Sequence, residues 1–409
     1  MLRVLTLSTL FPDATRPNFG VFVERQTLGL AAHPDVDLKL VAPIGLPPWP
    51  LRRAARYAQL AGLPQHEDWK GVETWRPRFT TIPGTGGRFH VAALVHALKP
   101  LLTDIRRDFA FDLIDAEFFF PDGPAAIALG KHFGVPVSIK ARGADIHHWG
   151  HAPGTAAQVI AAGRSAAGLL AVSEAMRDDM AAIGIPREKI RVHHTGVDLA
   201  RFAPADRAAG KAALGITGPL VVSLGALVPR KGHDVVIDAV AAIPDANLLI
   251  AGDGPERAAL AGRIATLGAG DRIRLLGSLP HGELPSLLAA ADVMALASAS
   301  EGLANAWVEA LACGTPIVIT AAGGAGEVVT DPAYGRVVAR EAGAFEGAIR
   351  NMLAAAPDPV AVRRGAERFT WEANTAALFE HLNSLSLWER EGAHRASDGK
   401  GEGRHGRRV

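Results

Sequence analysis

The sequence predicts an α/β protein with two doubly wound parallel sheets. Short apolar runs alternate with longer segments of helical periodicity almost throughout, as expected for strands covered by helices on both faces. The chain has 409 residues, against roughly 100 to 200 for a typical domain, which favours two domains. The predicted strands are Leu2–Ser8, Leu38–Ala42, Phe111–Asp115, Val135–Ile139 and Gly168–Val172, then Leu220–Leu224, Asn247–Ala251, Arg272–Leu275, Val293–Leu296 and Pro316–Ile319.

A segment without strand character separates the two predicted sheets. Between residues 197 and 219, Pro204 and three glycines interrupt the chain, which is typical of a linker. Apolar residues have helical spacing from Trp371 to Trp388, and the remainder is polar, glycine-rich and basic. We therefore predict two Rossmann-like domains facing each other across a cleft, at 1–200 and 201–370, a helix at 371–388 that crosses back to the first domain, and a disordered tail at 389–409.

Composition excludes several classes of function. Lys and Arg total 43 and Asp and Glu 42, a formal net charge of +1, so no overall field attracts nucleic acid. No apolar run approaches the roughly 18 residues of a membrane span. The single cysteine, Cys313, can form no internal disulfide, which is typical of a reducing compartment. These features predict a cytoplasmic location, with membrane contact limited to peripheral binding at the inner face.

One irregular insertion leaves two interpretations open. Residues 44–70 contain Pro47-Pro48-Trp49-Pro50, followed by a basic helical segment with Arg52, Arg53 and Arg56. Such a segment can dock on acidic lipid headgroups or on a lipid-linked phosphate. A solvated helix face is the plainer interpretation, and the sequence favours it.

Two glutamates follow the predicted strand at 293–296. Glu301 therefore lies at the carboxyl edge of the sheet, where open parallel sheets bind ligands. Gly302 and the residues after it open the next helix, so their amides and the helix dipole favour an anion. Glu309, about two turns further along, is placed to accept hydrogen bonds from paired hydroxyls such as those of a ribose. A pair of helix-spaced glutamates is usually solvated, so the case for a binding site depends on the neighbouring loops.

Glycine-bearing loops end the neighbouring strands and would line the same edge. They are Ser223–Gly232, Ala251–Pro255 and Leu276–Pro280. In the first loop, Arg230 and Lys231 place two cations where a diphosphate could lie, Arg as a two-pronged donor and Lys as a point charge. A solvated turn is the alternative for each loop, but it leaves unexplained why every loop carries glycine.

The motifs follow a definite order along the chain. In the second half they are Gly225…Lys231-Gly232, Gly252-Asp253-Gly254, Gly277, Glu301-x7-Glu309 and Gly323-Gly324-x-x-Glu327. In the first half they are Pro17…Gly20-Val21-Phe22-Val23, Arg142-Gly143-Ala144-Asp145, Ala171-Val172-Ser173-Glu174 and Thr195-Gly196-Val197-Asp198. This ordered set, over residues 1 to 385, resembles family 4 of the retaining glycosyltransferases, which have the GT-B fold.

The resemblance implies transfer of a sugar from a UDP- or GDP-sugar with retention of configuration, without an obligatory metal or other cofactor. It implies that Lys231 and Arg230 stabilise the leaving diphosphate. Glu301 would stabilise the sugar ring and Glu309 would bind the ribose. The other implied donor-binding positions are Gly20, Gly225, Leu279 and the amides of Gly302, Leu303, Ala304 and Asn305. An oxocarbenium-like transition state needs charge stabilisation on the departing oxygen more than it needs a strong base.

Three positions depart from the family pattern. Ala226 stands where the family often has Arg, Asp115-Ala116-Glu117 where many members have His-x-His, and Arg142 where His is usual. Arg142, Glu117 and Asp145 are the predicted acceptor-side residues. Two motifs, the opening Phe11-Pro12…Gly20-Val21-Phe22-Val23 and Phe120-Pro121-Asp122-Gly123, resemble members that build surface polysaccharides of capsule, exopolysaccharide or teichuronic-acid type. This resemblance implies a saccharide or lipid-linked saccharide as acceptor.

Two other functions stay open. A non-hydrolysing nucleotide-sugar 2-epimerase shares the fold and could use Asp115, Glu117 and Asp145 for proton transfer. A nucleotide-sugar-binding protein without catalysis would bind the donor and release no nucleotide. Asp35-Val36-Asp37 and the histidines between 147 and 151 have metal-like spacing, and we interpret them as a strand entry and a polar loop. The sequence contains no P-loop and no dinucleotide-binding glycine motif.

Overall fold

The computed structural model describes residues 1–398, which form two compact units. Unit 1 comprises Met1–Ala171, Arg177–His193 and the chain from Thr375 onward, and unit 2 comprises Val172–Met176 and His194–Asn374. The sequence instead places the boundaries at 200 and 370. The segments at 194–200 and 370–374 belong to unit 2 because they are bonded within it. The Val197 N–H donates to the Phe369 carbonyl at 2.7 Å, and Asn374 Nδ2 donates to the His194 carbonyl at 2.6 Å.

Unit 1 is built on an eight-stranded sheet in the order β10-β9-β8-β7-β1-β2-β5-β4. The strands of this unit are β1 Leu2–Leu7, β2 Val36–Val41, β3 Ile44–Leu46, β4 His66–Trp69, β5 Val72–Trp75, β6 Arg78–Thr80, β7 Leu113–Ala116, β8 Val137–Ala141, β9 Gly168–Ala171 and β10 Ile190–Val192. All neighbours in the sheet are parallel except β4 and β5, while β3 and β6 form a separate parallel pair. The strand order reverses between β1 and β7, the position at which such sheets form a crevice.

The helices associated with this sheet are α1 Val21–Ala31, α2 Ala55–Ala61, α3 His90–Asp108, α4 Asp122–Phe133, α5 Ala144–His147, α6 Ala156–Ser165, α7 Glu174–Ala182 and the C-terminal α16 Trp371–Asp398. A short 3₁₀ turn, Leu51–Arg53, precedes α2. One hydrophobic cluster in unit 1 combines strands of the sheet with the first and last helices. In it, Val4 and Leu40 pack with Leu30 of α1 and Leu382 of α16.

Unit 2 is built on a six-stranded, entirely parallel sheet in the order β13-β12-β11-β14-β15-β16. Its strands are β11 Leu220–Leu224, β12 Asn247–Ala251, β13 Ile273–Gly277, β14 Val293–Leu296, β15 Ile317–Thr320 and β16 Gly335–Val338. Its helices are α8 Arg207–Ala213, α9 His233–Ala241, α10 Arg257–Thr266, α11 Leu284–Ala290, α12 Asn305–Ala312, α13 Ala325–Val328, α14 Ala342–Ala355 and α15 Pro359–Arg363. Every residue of β11 is buried, because helices such as α9 and α14 pack in the same core cluster.

The predicted α/β architecture with two parallel sheets is confirmed, and each of the ten predicted strands corresponds to an observed strand. The C-terminal helix differs from its prediction, because α16 continues beyond 388 to Asp398. Glutamate, alanine and arginine are frequent in that stretch and favour helix. Of the predicted tail at 389–409, residues 399–409 lie outside the described residues. Among residues 1–398, no helix is both long and apolar enough to cross a membrane.

Candidate active site

The candidate site lies at the carboxyl edge of the unit 2 sheet, where the strand order reverses between β11 and β14. The loops that follow these two strands lie side by side. The Ala299 N–H donates to the Arg230 carbonyl at 2.8 Å, and Arg230 Nη1 donates to the Ser300 carbonyl at 3.1 Å. Loops at such a reversal point form the ligand crevice of open parallel sheets.

Gly232 determines the path of the first loop. Its backbone is left-handed, with φ of 66°, and a Cβ at this position would overlap the Ala297 carbonyl. Glycine alone meets both conditions without strain. Gly232 ends the 3₁₀ turn Pro229–Lys231 and starts helix α9. The turn therefore presents Arg230 and Lys231 towards the second loop.

Arg230, Lys231 and Glu301, the three residues predicted to be catalytic, lie together. Lys231 Nζ is 2.5 Å from Glu301 Oε1, and Arg230 Nη1 is 3.6 Å from Glu301 Oε2. The Lys231 and Glu301 side chains are 14% and 10% exposed, whereas that of Arg230 is 44% exposed. Two cations share one carboxylate, so the cluster keeps a net positive charge that an anionic ligand could neutralise.

Four consecutive amides at the start of α12 are available to a ligand. Within residues 1–398, no acceptor bonds the N–H groups of Gly302, Leu303, Ala304 and Asn305. The Gly302 carbonyl, by contrast, accepts from the Gly324 N–H at 2.8 Å and from Ser173 Oγ at 3.1 Å. Because the carbonyl and the amide of a trans peptide point in opposite directions, the Leu303 N–H faces away from those donors. Unbonded amides at a helix start are suited to an anion.

Glu309 lies on α12 and pairs with a residue that the sequence analysis missed. His281, in the turn after β13, has its Nε2 2.9 Å from Glu309 Oε1, and both side chains are largely buried. Glu309 Oε2 makes no hydrogen bond within the described part of the chain. Glu301 contacts the loop after β11, and Glu309 contacts the turn after β13. Both glutamates therefore face the half of the sheet formed by β11, β12 and β13. Leu279, predicted to bind donor, lies half-buried just before His281.

The glycines of the strand-end loops have a structural cause. A Cβ on Gly252 would overlap the Gly225 carbonyl, and one on Gly254 would overlap the Leu227 carbonyl. The Gly252 N–H also donates to the Gly277 carbonyl at 2.8 Å. Neighbouring loops therefore pack backbone against backbone, which explains why each carries glycine. Packing therefore explains these glycines without a ligand, and the donor-binding role of Gly225 stays a prediction.

In unit 1, the predicted acceptor-side residues bind one another in the interior. Asp145 is fully buried and accepts from the Phe119, Arg142 and Gly143 amides at 2.9, 3.0 and 2.7 Å. Its carboxylate thus closes the turn that leads into α5. Asp145 therefore braces the loops after β7 and β8, and its contact with an acceptor stays a prediction.

Glu117 and Arg142 form a buried ion pair within a larger network. Gln26 donates to Glu117, and Lys140 Nζ donates to Gln26 Oε1 at 2.6 Å. Burial raises the pKa of Glu117, but the positive charges of Arg142 and Lys140 outweigh it, so the pKa lies below its ordinary value. Burial, with the neighbouring Glu117, raises the pKa of Asp115 well above its usual range. The groups considered for epimerase chemistry are therefore engaged or buried within unit 1.

Gly20, predicted to approach donor phosphates, is required by packing inside unit 1. It starts α1 with φ of 69°. A Cβ here would overlap the Leu10 carbonyl. Only glycine fits this combination of left-handed backbone and close contact.

Asp122, the first residue of α4, gives unit 1 a pH-dependent stability. It is fully buried, and its Oδ2 accepts from the Thr9 N–H at 2.8 Å. Burial raises the pKa of Asp122 to about 8, against about 4 in an unfolded chain. Between these pH values the folded state binds one more proton, so the free energy of unfolding falls as the pH rises. We expect Asp122 to account for a loss of about 2 kcal/mol between pH 6 and pH 8.

Asp122→Asn tests this expectation, because asparagine does not titrate and its oxygen can still accept from Thr9. The difference between the thermal unfolding midpoints at pH 6 and pH 8 should shrink by several degrees. Asp37→Asn makes the same chemical change at an exposed position of β2 and should leave the difference unaltered. An unchanged difference in Asp122→Asn would show that this carboxyl is ionised in the folded state at both pH values.

Comparisons with known proteins agree with the geometry of unit 2. Residues 206–369 match the family described as "Glycosyl transferases group 1", and residues 42–201 match "Glycosyltransferase Family 4". The two matches follow one another along the chain and together span most of it. Together with the two parallel-sheet units, they give it the GT-B fold.

Among curated relatives, a D-inositol 3-phosphate glycosyltransferase of Mycolicibacterium vanbaalenii is 38% identical over 212 residues, 46% of this chain and 46% of that protein. The enzyme of the same name from Mycobacterium tuberculosis is 38% identical over 210 residues, 48% of this chain and 44% of the relative. The chain therefore matches less than half of the length of these relatives, and the surface-polysaccharide interpretation stays a prediction.

Solved structures resemble the whole fold. A sucrose-phosphate synthase from Thermosynechococcus elongatus has a TM-score of 0.78 at 22% identity, over 94% of this chain and 99% of the other. Anabaena HepE, solved in complex with UDP, has a TM-score of 0.74 at 20% identity, over 94% of this chain and 100% of the other. At such identities the likeness concerns the GT-B fold and not the substrate.

Proposed function

We propose that this chain is a retaining, metal-independent hexosyltransferase that moves a sugar from a UDP- or GDP-sugar to a saccharide acceptor in surface polysaccharide synthesis. One observation carries the proposal: Lys231, Arg230 and Glu301 meet beside the unbonded amides that open α12. Two cations and a row of N–H donors suit a diphosphate, and a carboxylate suits sugar hydroxyls. The two matched glycosyltransferase domains support the same reaction class.

In the proposed reaction the acceptor hydroxyl attacks the anomeric carbon from the face that the diphosphate leaves. The new bond from the acceptor oxygen to that carbon forms as the bond to the phosphate oxygen breaks. The hydroxyl proton passes to the departing phosphate oxygen, and the configuration is retained. Lys231 and Arg230 stabilise the negative charge that develops on the diphosphate. Glu301, released from Lys231 by the bound diphosphate, faces the sugar ring.

The acceptor that we propose is a saccharide carried on a lipid. Its basis is the Phe120-Pro121-Asp122-Gly123 motif and its resemblance to polysaccharide-building members of the family. Inositol phosphate is the second candidate, because curated relatives bear the name D-inositol 3-phosphate glycosyltransferase. An acceptor panel containing both classes separates the two.

Thermal unfolding with a panel of nucleotide sugars tests the function. The true donor should raise the midpoint by several degrees at about a hundred times its Kd, because it binds only the folded state. With the matching acceptor, nucleoside diphosphate should then be released. Proton NMR of the donor alone that reveals a new epimer would favour an epimerase instead. Tight donor binding without nucleotide release across the acceptor panel would favour a binding protein.

His281 gives a test of the ribose contact. We expect His281→Ala to weaken UDP or GDP binding about tenfold, because Glu309 loses the partner that holds its Oε1 and so presents Oε2 less often to the ribose. Calorimetric titration with the nucleotide and with its 2′,3′-dideoxy form measures the difference. For the dideoxy form, His281→Ala should lower the affinity only slightly. His132→Ala, at an exposed position of unit 1, should leave the affinity for both nucleotides unchanged. An equal loss for both nucleotides would place the effect of His281 elsewhere than at the ribose.

A further inference from the structure

Unit 1 exposes four large apolar side chains on two short segments. Trp49 is 63% exposed, Leu51 53%, Ile82 43% and Phe89 48%. The segments follow β3 and β6, which are paired in parallel with Leu46 opposite Thr80. The Thr81 N–H continues the pairing, donating to the Leu46 carbonyl at 2.8 Å. Both segments therefore leave the strand pair at the same end.

These four side chains are called the apolar rim below. Trp49 is three residues beyond β3 and Ile82 two residues beyond β6. Since an extended residue spans at most about 3.5 Å, their backbones lie within roughly 25 Å of each other. Phe89 precedes His90, whose ring is 6.4 Å from that of Phe79 in β6. The rim side chains thus lie on segments that border the β3–β6 pair.

The two chain segments that carry the rim have charge of one sign. Residues 43–66 and 76–103 contain no Asp or Glu. Arg52, Arg53 and Arg88 lie in these ranges and are exposed, and none of them forms an ion pair with another described residue. The Arg53 guanidinium lies 5.6 Å from the Trp49 ring centre. Cations and apolar rings are therefore interleaved, with no acid nearby in sequence to neutralise them.

A groove extends this surface along α3. It has a volume of about 710 Å³, and its lining includes Arg88, Val91, Val95, His96, Lys99 and Pro100. The groove begins at Arg88, next to Phe89 of the rim. Its apolar floor and cationic edge repeat the character of the rim.

We propose that the apolar rim and this groove form a docking surface for an anionic lipid bilayer. Trp49, Leu51, Ile82 and Phe89 enter the interfacial layer, and the arginines contact headgroup phosphates. Tryptophan beside arginine on an open surface suits the interface between water and lipid. The sequence favours a solvated helix face for this insertion, but the exposed Trp49 and Leu51 precede α2 and carry an apolar surface that a solvated face would lack. The proposal does not depend on the sugar transfer proposed above.

Cosedimentation of the full chain with sucrose-loaded vesicles tests this surface. We expect binding to phosphatidylcholine containing about a quarter phosphatidylglycerol and little binding to phosphatidylcholine alone, with high salt weakening the former. Arg52→Gln with Arg53→Gln should lower the partition coefficient about 25-fold, because each cation near an anionic surface contributes roughly a factor of five. Trp49→Ser with Leu51→Ser should lower it about tenfold.

Matched variants control for net charge and exposure. Lys131→Gln with Arg364→Gln removes two exposed cations elsewhere and lowers the formal net charge of +1 by the same two units. Val360→Ser replaces an exposed apolar side chain of unit 2. Both should bind vesicles as the wild type does, and all variants should keep the wild-type unfolding midpoint. Equal losses in the controls, or equal binding to neutral vesicles, would overturn the proposal. Binding of polyglutamate without binding of anionic vesicles would assign the surface to an acidic protein instead.

Discussion

Lys231→Ala is expected to lower the kcat of sugar transfer by 10²- to 10³-fold, the scale for one lost preorganised donor. Lys231 Nζ lies 2.5 Å from Glu301 in a largely buried position, where its charge is less screened than at the surface. Arg230 is the second cation that approaches Glu301, and its guanidinium is 44% exposed. In Lys231→Ala, Arg230 therefore stabilises only part of the negative charge that develops on the departing phosphate.

Lys211→Ala is the matched control for this variant. Lys211 Nζ also lies 2.5 Å from a carboxylate, that of Asp292, and is 19% exposed. Asp292 precedes β14, so this pair lies at the amino edge of the same sheet, away from the candidate site. We expect Lys211→Ala to lower the unfolding midpoint and to keep kcat. Single-turnover nucleotide release measures the chemical step, and equal losses of kcat in the two variants would contradict the role proposed for Lys231.

The parallel strands could be predicted because burial on both faces leaves a continuous apolar run. Leu220–Leu224 and Val293–Leu296 are both predicted and observed without a shift. The strands that the sequence analysis missed lack this signal. In β4, His66–Trp69 is polar and half-exposed, and β3 has only three residues. β3 pairs with β6, more than 30 residues further along the chain, which a local pattern does not reveal. β4 pairs with its neighbour β5, so only its polar sequence conceals it.

The unit 2 site was predictable because each of its three central residues follows closely after a recognisable strand. Arg230 and Lys231 are adjacent, and Glu301 starts the loop that leads into α12, so strand-end positions alone bring them to one edge. His281 was missed because its contact with Glu309 joins residues 28 apart through the fold. Its sequence context, a turn after a glycine-ended strand, places it at the same edge but does not indicate its partner.

The acceptor-side residues illustrate a different limit. Arg142, Glu117 and Asp145 follow strands β7 and β8, as predicted for a site. Their charges are nevertheless satisfied by one another and by backbone amides in the interior of unit 1. A sequence identifies a charged residue at a strand end, but whether that residue faces a ligand or a buried partner depends on groups more than 20 positions away, such as the Phe119 backbone N–H that donates to Asp145.

Glu301→Gln is expected to separate donor binding from turnover. Glu301 holds Lys231 and lies near Arg230, so we expect it to compete with the diphosphate for both cations. Removing its charge should therefore tighten nucleoside diphosphate binding a few-fold. The same change should lower kcat about a hundredfold, a loss of roughly 3 kcal/mol of transition-state stabilisation, because the carboxylate no longer stabilises the positive charge that develops on the sugar ring.

Calorimetric titration with the nucleoside diphosphate and steady-state rates of transfer measure the two effects of Glu301→Gln separately. Glu346→Gln, which removes a glutamate paired with Arg350 on the surface of unit 2, should change neither. Weaker nucleotide binding with an unchanged kcat would mean that Glu301 only organises the cations. Opposite changes in binding and turnover would instead require that the carboxylate leaves Lys231 when the diphosphate arrives and acts on the sugar, because a purely structural ion pair has no reason to favour one state and oppose the other.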